Sequence, residues 1–151
     1  MALDAVELLR ARGTIVLVDW PSRDVPEALA RAGFAVHVSG GPGPDDFSVW
    51  EVRDGSVTTR RSGVPPAHVD SLYVHRPPAE VPALIRYAAD AGAHLLWYQS
   101  GLAPDGARDA RGCWLPAEES ARLRQLAEGA GLAYVDDRFI VDAVAGGGEG
   151  A

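Results

Sequence analysis

The chain has 151 residues, 14 basic and 21 acidic side chains, a formal charge of −7 and a single cysteine. That length fits one domain able to bury roughly 70% of its unfolded surface, and 47% hydrophobic residues supply a core that a disordered chain lacks. Every basic residue is an arginine, which excludes Schiff-base lysine chemistry and the P-loop lysine. Cys113 standing alone excludes a disulfide framework and a Cys-rich zinc site. The acidic balance disfavours nucleic acid as a partner. No apolar run approaches the ~18 residues of a membrane span, and no basic-then-apolar leader opens the chain. The expectation is an acidic, cytoplasmic domain over residues 1–144 without membrane contact, followed by a flexible tail at 145–151.

In chain order, Leu3 to Arg12 reads as a helix with Asp4 and Glu7 spaced as a capping box, stopped by Gly13. Thr14-Ile15-Val16-Leu17-Val18 is apolar without alternation, the mark of a central strand buried on both faces. A tight connection, Asp19 to Arg23, leads to a helix over Asp24 to Ala32. Asp24 is its expected cap, and Val25, Ala28, Leu29 and Ala32 its apolar stripe. Ala35 to Val38 is the second strand. The stretch Ser39 to Pro44 is too rich in glycine and proline for regular structure. Phe47 to Val52, the Asp54-Gly55 signal and Val57 to Arg60 then read as a β-hairpin inserted on the sheet edge at about residues 45–62.

Ser71 to Val74 is the third main strand, and a helix from Ala79 to Ala91 tolerates Pro82 only in its first turn. His94 to Tyr98 is the fourth strand, and Gln99 to Leu115 is long for a connection. A helix from Pro116 to Glu128 turns Leu123, Leu126, Ala127 and Ala130 to one side, before a fifth strand at Ala133 to Val135. Gly146 to Ala151 reads as a flexible terminus. The sum is an α/β, Rossmann-like, doubly wound five-stranded parallel sheet with an inserted hairpin. Ligands of such sheets lie beyond the carboxyl ends of the strands, at the switch point beside strand one.

That rule reduces the chain to a short list of edge residues: Asp19, Trp20, Ser22, Arg23, Ser39, Gly40, His75, Arg76, Pro77, Gln99, Ser100 and Gly101, with Asp136 to Arg138 at the last strand. Arg23 and Arg76 precede helices whose free N–H groups favour an anion, so both are candidates for phosphate, and Ser22 for a donated hydrogen bond. The bland alternative is that both arginines are solvated or paired with neighbouring carboxylates.

These edge residues resemble the small stand-alone CoA-binding proteins related to the nucleotide-binding domain of succinyl-CoA synthetase, over roughly residues 14–144. The stretch Val69 to Pro82, with His75-Arg76-Pro77-Pro78, is similar to the family's third strand and Arg-Pro turn. Gly92 to Gly101 is similar to its fourth strand ending in Trp-x-Gln-x-Gly, and Gly131 to Ile140 to its last strand, with Phe139 where the family has cysteine. Pro21-Ser22 is similar to the opening of its first helix. The resemblance implies CoA as the ligand. It also exposes a departure: the glycine loop that lets the family's backbone approach the diphosphate is missing, and only Asp19 and Trp20 stand in its place. A carboxylate ~5 Å from a phosphate costs ~3 kcal/mol at an effective dielectric of ~20. Asp19 is alternatively an acceptor for a ribose hydroxyl, and Trp20 either stacks on adenine or plugs the vacated space.

Elsewhere the chemistry is sparse. His37, His68, His75 and His94 are not spaced as metal ligands, and His75 alone sits at a strand end. Ser100 lacks the Gly-x-Ser-x-Gly frame of a nucleophile elbow. Asp136 and Asp137 are neighbours on an extended segment and point apart. Gly40 to Gly43 has no helix behind it to make a phosphate cradle, and nothing cationic beyond Arg111 argues for a reactive Cys113. The leading expectation is non-catalytic binding of CoA or a related nucleotide. Its rival is a degenerate member that has lost the nucleotide and works through protein contacts or as a homodimer, with the edge exposed by the hairpin and its Trp50 as the surface for a partner or a second copy. An enzyme using His75 on an acyl or phosphoryl substrate ranks third, and no residue is assigned as catalytic or metal-binding.

Overall fold

The structure is a computed structural model that describes residues 5–10, 13–39, 46–62, 64–101, 107–108 and 112–149. In chain order the elements are α1 (Ala5–Arg10), β1 (Thr14–Val18), α2 (Asp24–Arg31), β2 (Ala35–Ser39), β3 (Phe47–Arg53), β4 (Ser56–Ser62), β5 (Ser71–Val74), a 3-10 turn (Pro78–Glu80) running into α3 (Val81–Asp90), β6 (Leu95–Tyr98), α4 (Ala117–Gly129), β7 (Ala133–Val135) and α5 (Ile140–Glu149). The strands form one sheet in the order β4-β3-β2-β1-β5-β6-β7. Strands β2, β1, β5, β6 and β7 are parallel, and the hairpin β3–β4 continues the sheet antiparallel from β2. The expected five-stranded sheet is therefore seven-stranded. The hairpin is not an appendage: Val36, Val38, Val49 and Trp50 are buried where it joins.

The uninterrupted apolar runs have the reason the sequence suggested. Along β1, Ile15 and Leu17 enter one core with Val25 and Leu29 of α2 and Ile140 of α5. Val16 enters the other with Val81, Ile85 and Ala88 of α3 and Leu123 and Ala127 of α4. Both faces of the strand are removed from water, so alternation is lost. The chain leaves β1 toward β2 over one face and returns to β5 and α3 on the other, which makes β1/β5 the switch point.

Local chemistry sets the turns. Asp54 and Gly55 both have positive φ, 52° and 80°, as the two-residue turn that matches strand twist requires. Pro82 sits in the first turn of α3, where no intrahelical donor is lost.

Several expectations need correction. Arg23, not Asp24, is the cap residue of α2, in helical conformation and without a side-chain cap bond; Asp24 is already helical, where its charge complements the dipole. On α2 the buried set is Val25, Pro26, Leu29 and Ala30. Leu126 and Ala130 do not join the core: both are exposed, Leu126 to 42%, and the buried residues of α4 are Leu123 and Ala127. The carboxyl-terminal helix α5 went unread, because residues 146–149 are mostly glycine. Its start is held by Phe139 and Ile140, both buried against α2. Asp4, Gly40 to Pro44, Arg111, Gly150 and Ala151 lie outside the described residues. No helix among the described residues is long and apolar enough to cross a membrane.

Candidate functional site

The chain turns sharply after β1. Asp19 takes φ 68°, a left-handed conformation that side chains other than glycine enter at a cost. Its Oδ1 accepts the Trp20 amide at 2.9 Å, a local bond that offsets part of that cost. Two residues thus make the turn where the resemblance places a glycine loop, and they leave a carboxylate at the edge.

Oδ2 of Asp19 faces Arg76 Nη1 at 3.4 Å. Arg76 follows β5 and forks onto Glu80, Nε to Oε1 at 3.1 Å and Nη2 to Oε2 at 2.8 Å. This two-pronged geometry is the strongest an arginine makes with a carboxylate. The Arg76 side chain remains 40% exposed, so solvent screens both pairs. Two carboxylates around one guanidinium leave the cluster formally at −1. The hydroxyl of Tyr98 donates to the Arg76 carbonyl at 2.8 Å and fixes the turn, in which Pro77 precedes the 3-10 segment.

His75 lies half-buried beside this pair. Its amide donates to the Val18 carbonyl at 3.0 Å, continuing the β1–β5 ladder past the strand. Burial lowers its pKa; Asp19 pulls it up and Arg76 pushes it down. Nδ1 of His75 is buried without a hydrogen-bond partner among the described residues.

On the α2 side, Arg23 Nε donates to Glu27 Oε1 at 2.7 Å, and its guanidinium lies 4.7 Å over the Trp50 ring. Trp20 meets the same indole edge-on, with centroids 6.3 Å apart, and packs against the core beneath α2. Ser22 is exposed, and its carbonyl accepts the Val25 amide at 3.2 Å. Ser39 ends β2 and is in register with Val18 on one side and Phe47 on the other. Gly40 is outside the described residues.

At the end of β6, Gln99, Ser100 and Gly101 are all buried. Gln99 Nε2 donates to the Ser100 carbonyl at 3.3 Å, while its Oε1 has no partner among the described residues. The hydroxyl of Ser100 donates to the Asp136 carbonyl, and that of Ser120 to the Asp136 carboxylate. Arg124 stands 3.9 Å from the same carboxylate, which is only 3% exposed. Segment 112–114 lies directly over this turn. The Cys113 amide donates to the Gln99 carbonyl at 3.1 Å, the Gly101 amide donates to the Cys113 carbonyl, and a β-carbon at Gly112 would collide with the Ser100 carbonyl oxygen. Burial raises the Cys113 pKa; the Tyr98 hydroxyl and Arg76 oppose that, and Asp19 and Glu80 add to it.

The fold therefore brings Asp19, His75 and Arg76 into one cluster and gathers Arg23 and Trp20 around Trp50. It joins Gln99 to Gly101 to the cluster through Tyr98 and Cys113. The sequence alone does not single out Glu80, Tyr98 or Ser120 at this edge, and it suggests Trp50 for an exposed hairpin border, whereas the structure buries Trp50 beneath Arg23 and Trp20. Glu80 was legible, four residues after Arg76 at ion-pairing distance on a helix; the other three depend on long-range packing. Among the described residues, no group of three or more His, Cys, Asp or Glu is placed to hold a metal ion.

Comparison with known proteins agrees with this architecture. No curated protein matches the chain in sequence. A Thermus thermophilus protein, cell-free ID.343, superposes with a TM-score of 0.59 at 19% identity, covering 93% of this chain and 94% of its own. Prb, a protein redesigned for binding, superposes with a TM-score of 0.56 at 16% identity, covering 94% and 90%. At such identities the likeness is one of fold. The sequence family described as "CoA binding domain" matches residues 16–143, a span that begins within β1 and takes in the switch point and every strand after it. By that match, which spans most of the sheet, the chain belongs to the CoA binding domain family.

Proposed function

We propose that the protein is a non-catalytic binder of CoA or a closely related nucleotide, held at the carboxyl edge of the sheet. The observation that carries this reading is the Arg76 side chain, 40% exposed at the switch point between β5 and β1. One further feature fits a polar ligand there: Gln99 Oε1, buried at the neighbouring strand end without a hydrogen-bond partner among the described residues. One feature opposes it. Any phosphate on Arg76 must displace Glu80 and tolerate Asp19, so the affinity is modest. His75, whose charge burial disfavours, serves as a hydrogen-bonding group in this reading.

A thermal-shift series with CoA, dephospho-CoA, NAD and ATP tests it. CoA binding to the native state raises the melting point in proportion to the logarithm of its concentration, and Arg76→Ala abolishes the rise. No shift at millimolar CoA sinks the proposal. In that case the second reading takes over, a member that has exchanged the nucleotide for protein contacts. It is favoured by the charge pairing of both candidate arginines, Arg76 with Asp19 and Glu80 and Arg23 with Glu27. Sedimentation of the full chain at high concentration tests it, since a monomer with no copurifying partner counts against it.

A further inference from the structure

We infer that Trp114, with Arg108, forms a stacking platform for the aromatic base of the nucleotide, an assignment that rests on the binding reading above. Trp50 and Trp97 are buried and Trp20 is engaged edge-on with Trp50, whereas Trp114 is 53% exposed. An indole left this far in water forfeits the burial that normally justifies so large a side chain.

Its exposure does not come from a loose backbone. Cys113, one residue before, is bonded on both sides to the end of β6 and forms a parallel bridge with Ser100. Leu115, one residue after, is fully buried, and Pro116 caps α4. Gly112 admits no side chain against the Ser100 carbonyl. The indole is thus presented from a fixed position on the carboxyl edge. The thiol beside it lies within electrostatic reach of Asp19, Arg76 and Glu80.

The ring already accepts a flat partner, since the Arg108 guanidinium lies 5.2 Å from its centroid. A planar, delocalised cation and a purine stack on indole by related forces. Arg108 is exposed, so a base displaces it, or slides beneath it, with little desolvation. Trp20, the aromatic that sequence reading offers to adenine, has no comparable freedom. Stacking reads the π-face of a base rather than its hydrogen-bonding edge, so the platform accepts other purines as well as adenine.

Calorimetric titration of the full chain tests the assignment with three probes: CoA, adenosine bisphosphate, which lacks the pantetheine arm, and phosphopantetheine, which lacks the base. Trp114→Ala is expected to weaken CoA and adenosine bisphosphate about tenfold and leave phosphopantetheine unchanged, while Trp114→Phe keeps CoA within about threefold. The ligand-free melting point of Trp114→Ala should stay within about 2 °C of the parent, as expected at an exposed position. If the parent and Trp114→Ala bind CoA equally, the platform is overturned and the nucleotide reading stands. Equal weakening of CoA and phosphopantetheine also overturns it, because the indole then acts through the loop and not on the base. If the parent binds no CoA, the nucleotide reading fails and the platform falls with it.

Discussion

Across the switch point, Asp19 and Arg76 face each other at 3.4 Å although 57 residues separate them in the chain. The residue best placed to attract a phosphate is therefore held by the residue that stands where a glycine loop was expected. Glu80 holds the same guanidinium from the other side. In the proposed binding mode a phosphate would have to exchange with these carboxylates on Arg76.

Removing either internal carboxylate should strengthen CoA binding. Exposed pairs of this kind are worth about 0.2–1 kcal/mol each, so Glu80→Gln or Asp19→Asn should tighten CoA about two- to fivefold by calorimetry. The double variant should approach the product, with a steeper dependence on ionic strength. Looser binding in both single variants would show that the carboxylates serve the ligand instead of competing with it.

Asp19 also predicts a backbone effect. Its φ of 68° suits glycine and resists branched side chains. Asp19→Gly should keep stability within about 1 kcal/mol of the parent, whereas Asp19→Val should lose about 2 kcal/mol or more. Urea unfolding of the two variants makes the comparison, and equal midpoints would refute it.

Gly112→Ala drives a β-carbon into the Ser100 carbonyl oxygen, a contact that the backbone must move to relieve. The expected loss is about 1–3 kcal/mol. Because the segment then lifts from β6, Cys113 should react faster with a thiol reagent in native buffer. Unchanged stability and reactivity would mean that segment 112–114 does not dock on the strand end.

Stability should fall on mild acidification. Burial lowers the pKa of both His37 and His75, with Arg60 adding to the effect at His37. The unfolded chain takes up these protons from about pH 6.5 downward, while the folded chain resists them until its lower values are reached. Their contribution is therefore complete above pH 6.5 and declines below it, at no more than about 1.4 kcal/mol per pH unit for each histidine. The slope of unfolding free energy between pH 7 and about 5.5 should flatten in His37→Gln and flatten further in His37→Gln/His75→Gln. An unaltered slope would place the linkage elsewhere.

The sheet was legible because β1, β5 and β6 are apolar without alternation, which only burial on two faces explains. Asp54-Gly55 announced the hairpin through its turn chemistry. The strand count fell short because pairing partners are not encoded locally: nothing in Phe47 to Arg53 states that it joins β2. Helix α5 was missed because glycine carries low helix propensity, and docking of Phe139 and Ile140 supplies what propensity lacks. At the site, strand ends located Asp19, His75, Arg76 and Gln99 correctly along the edge. What those residues touch was invisible, since Trp50 meets Arg23 and Trp20 only after β3 folds beside β2, and Cys113 meets Tyr98 only after the connection to α4 doubles back.

The hairpin has an architectural effect beyond filling space. By adding two strands past β2, it moves the free border of the sheet three strands away from β1. That border is fringed by arginines, with Arg60 crossing to Glu51 and Arg61 to Asp46, a fringe that discourages unplanned strand addition. The border at β4 and the crevice beside β1 are thus separate surfaces, with two strands between them.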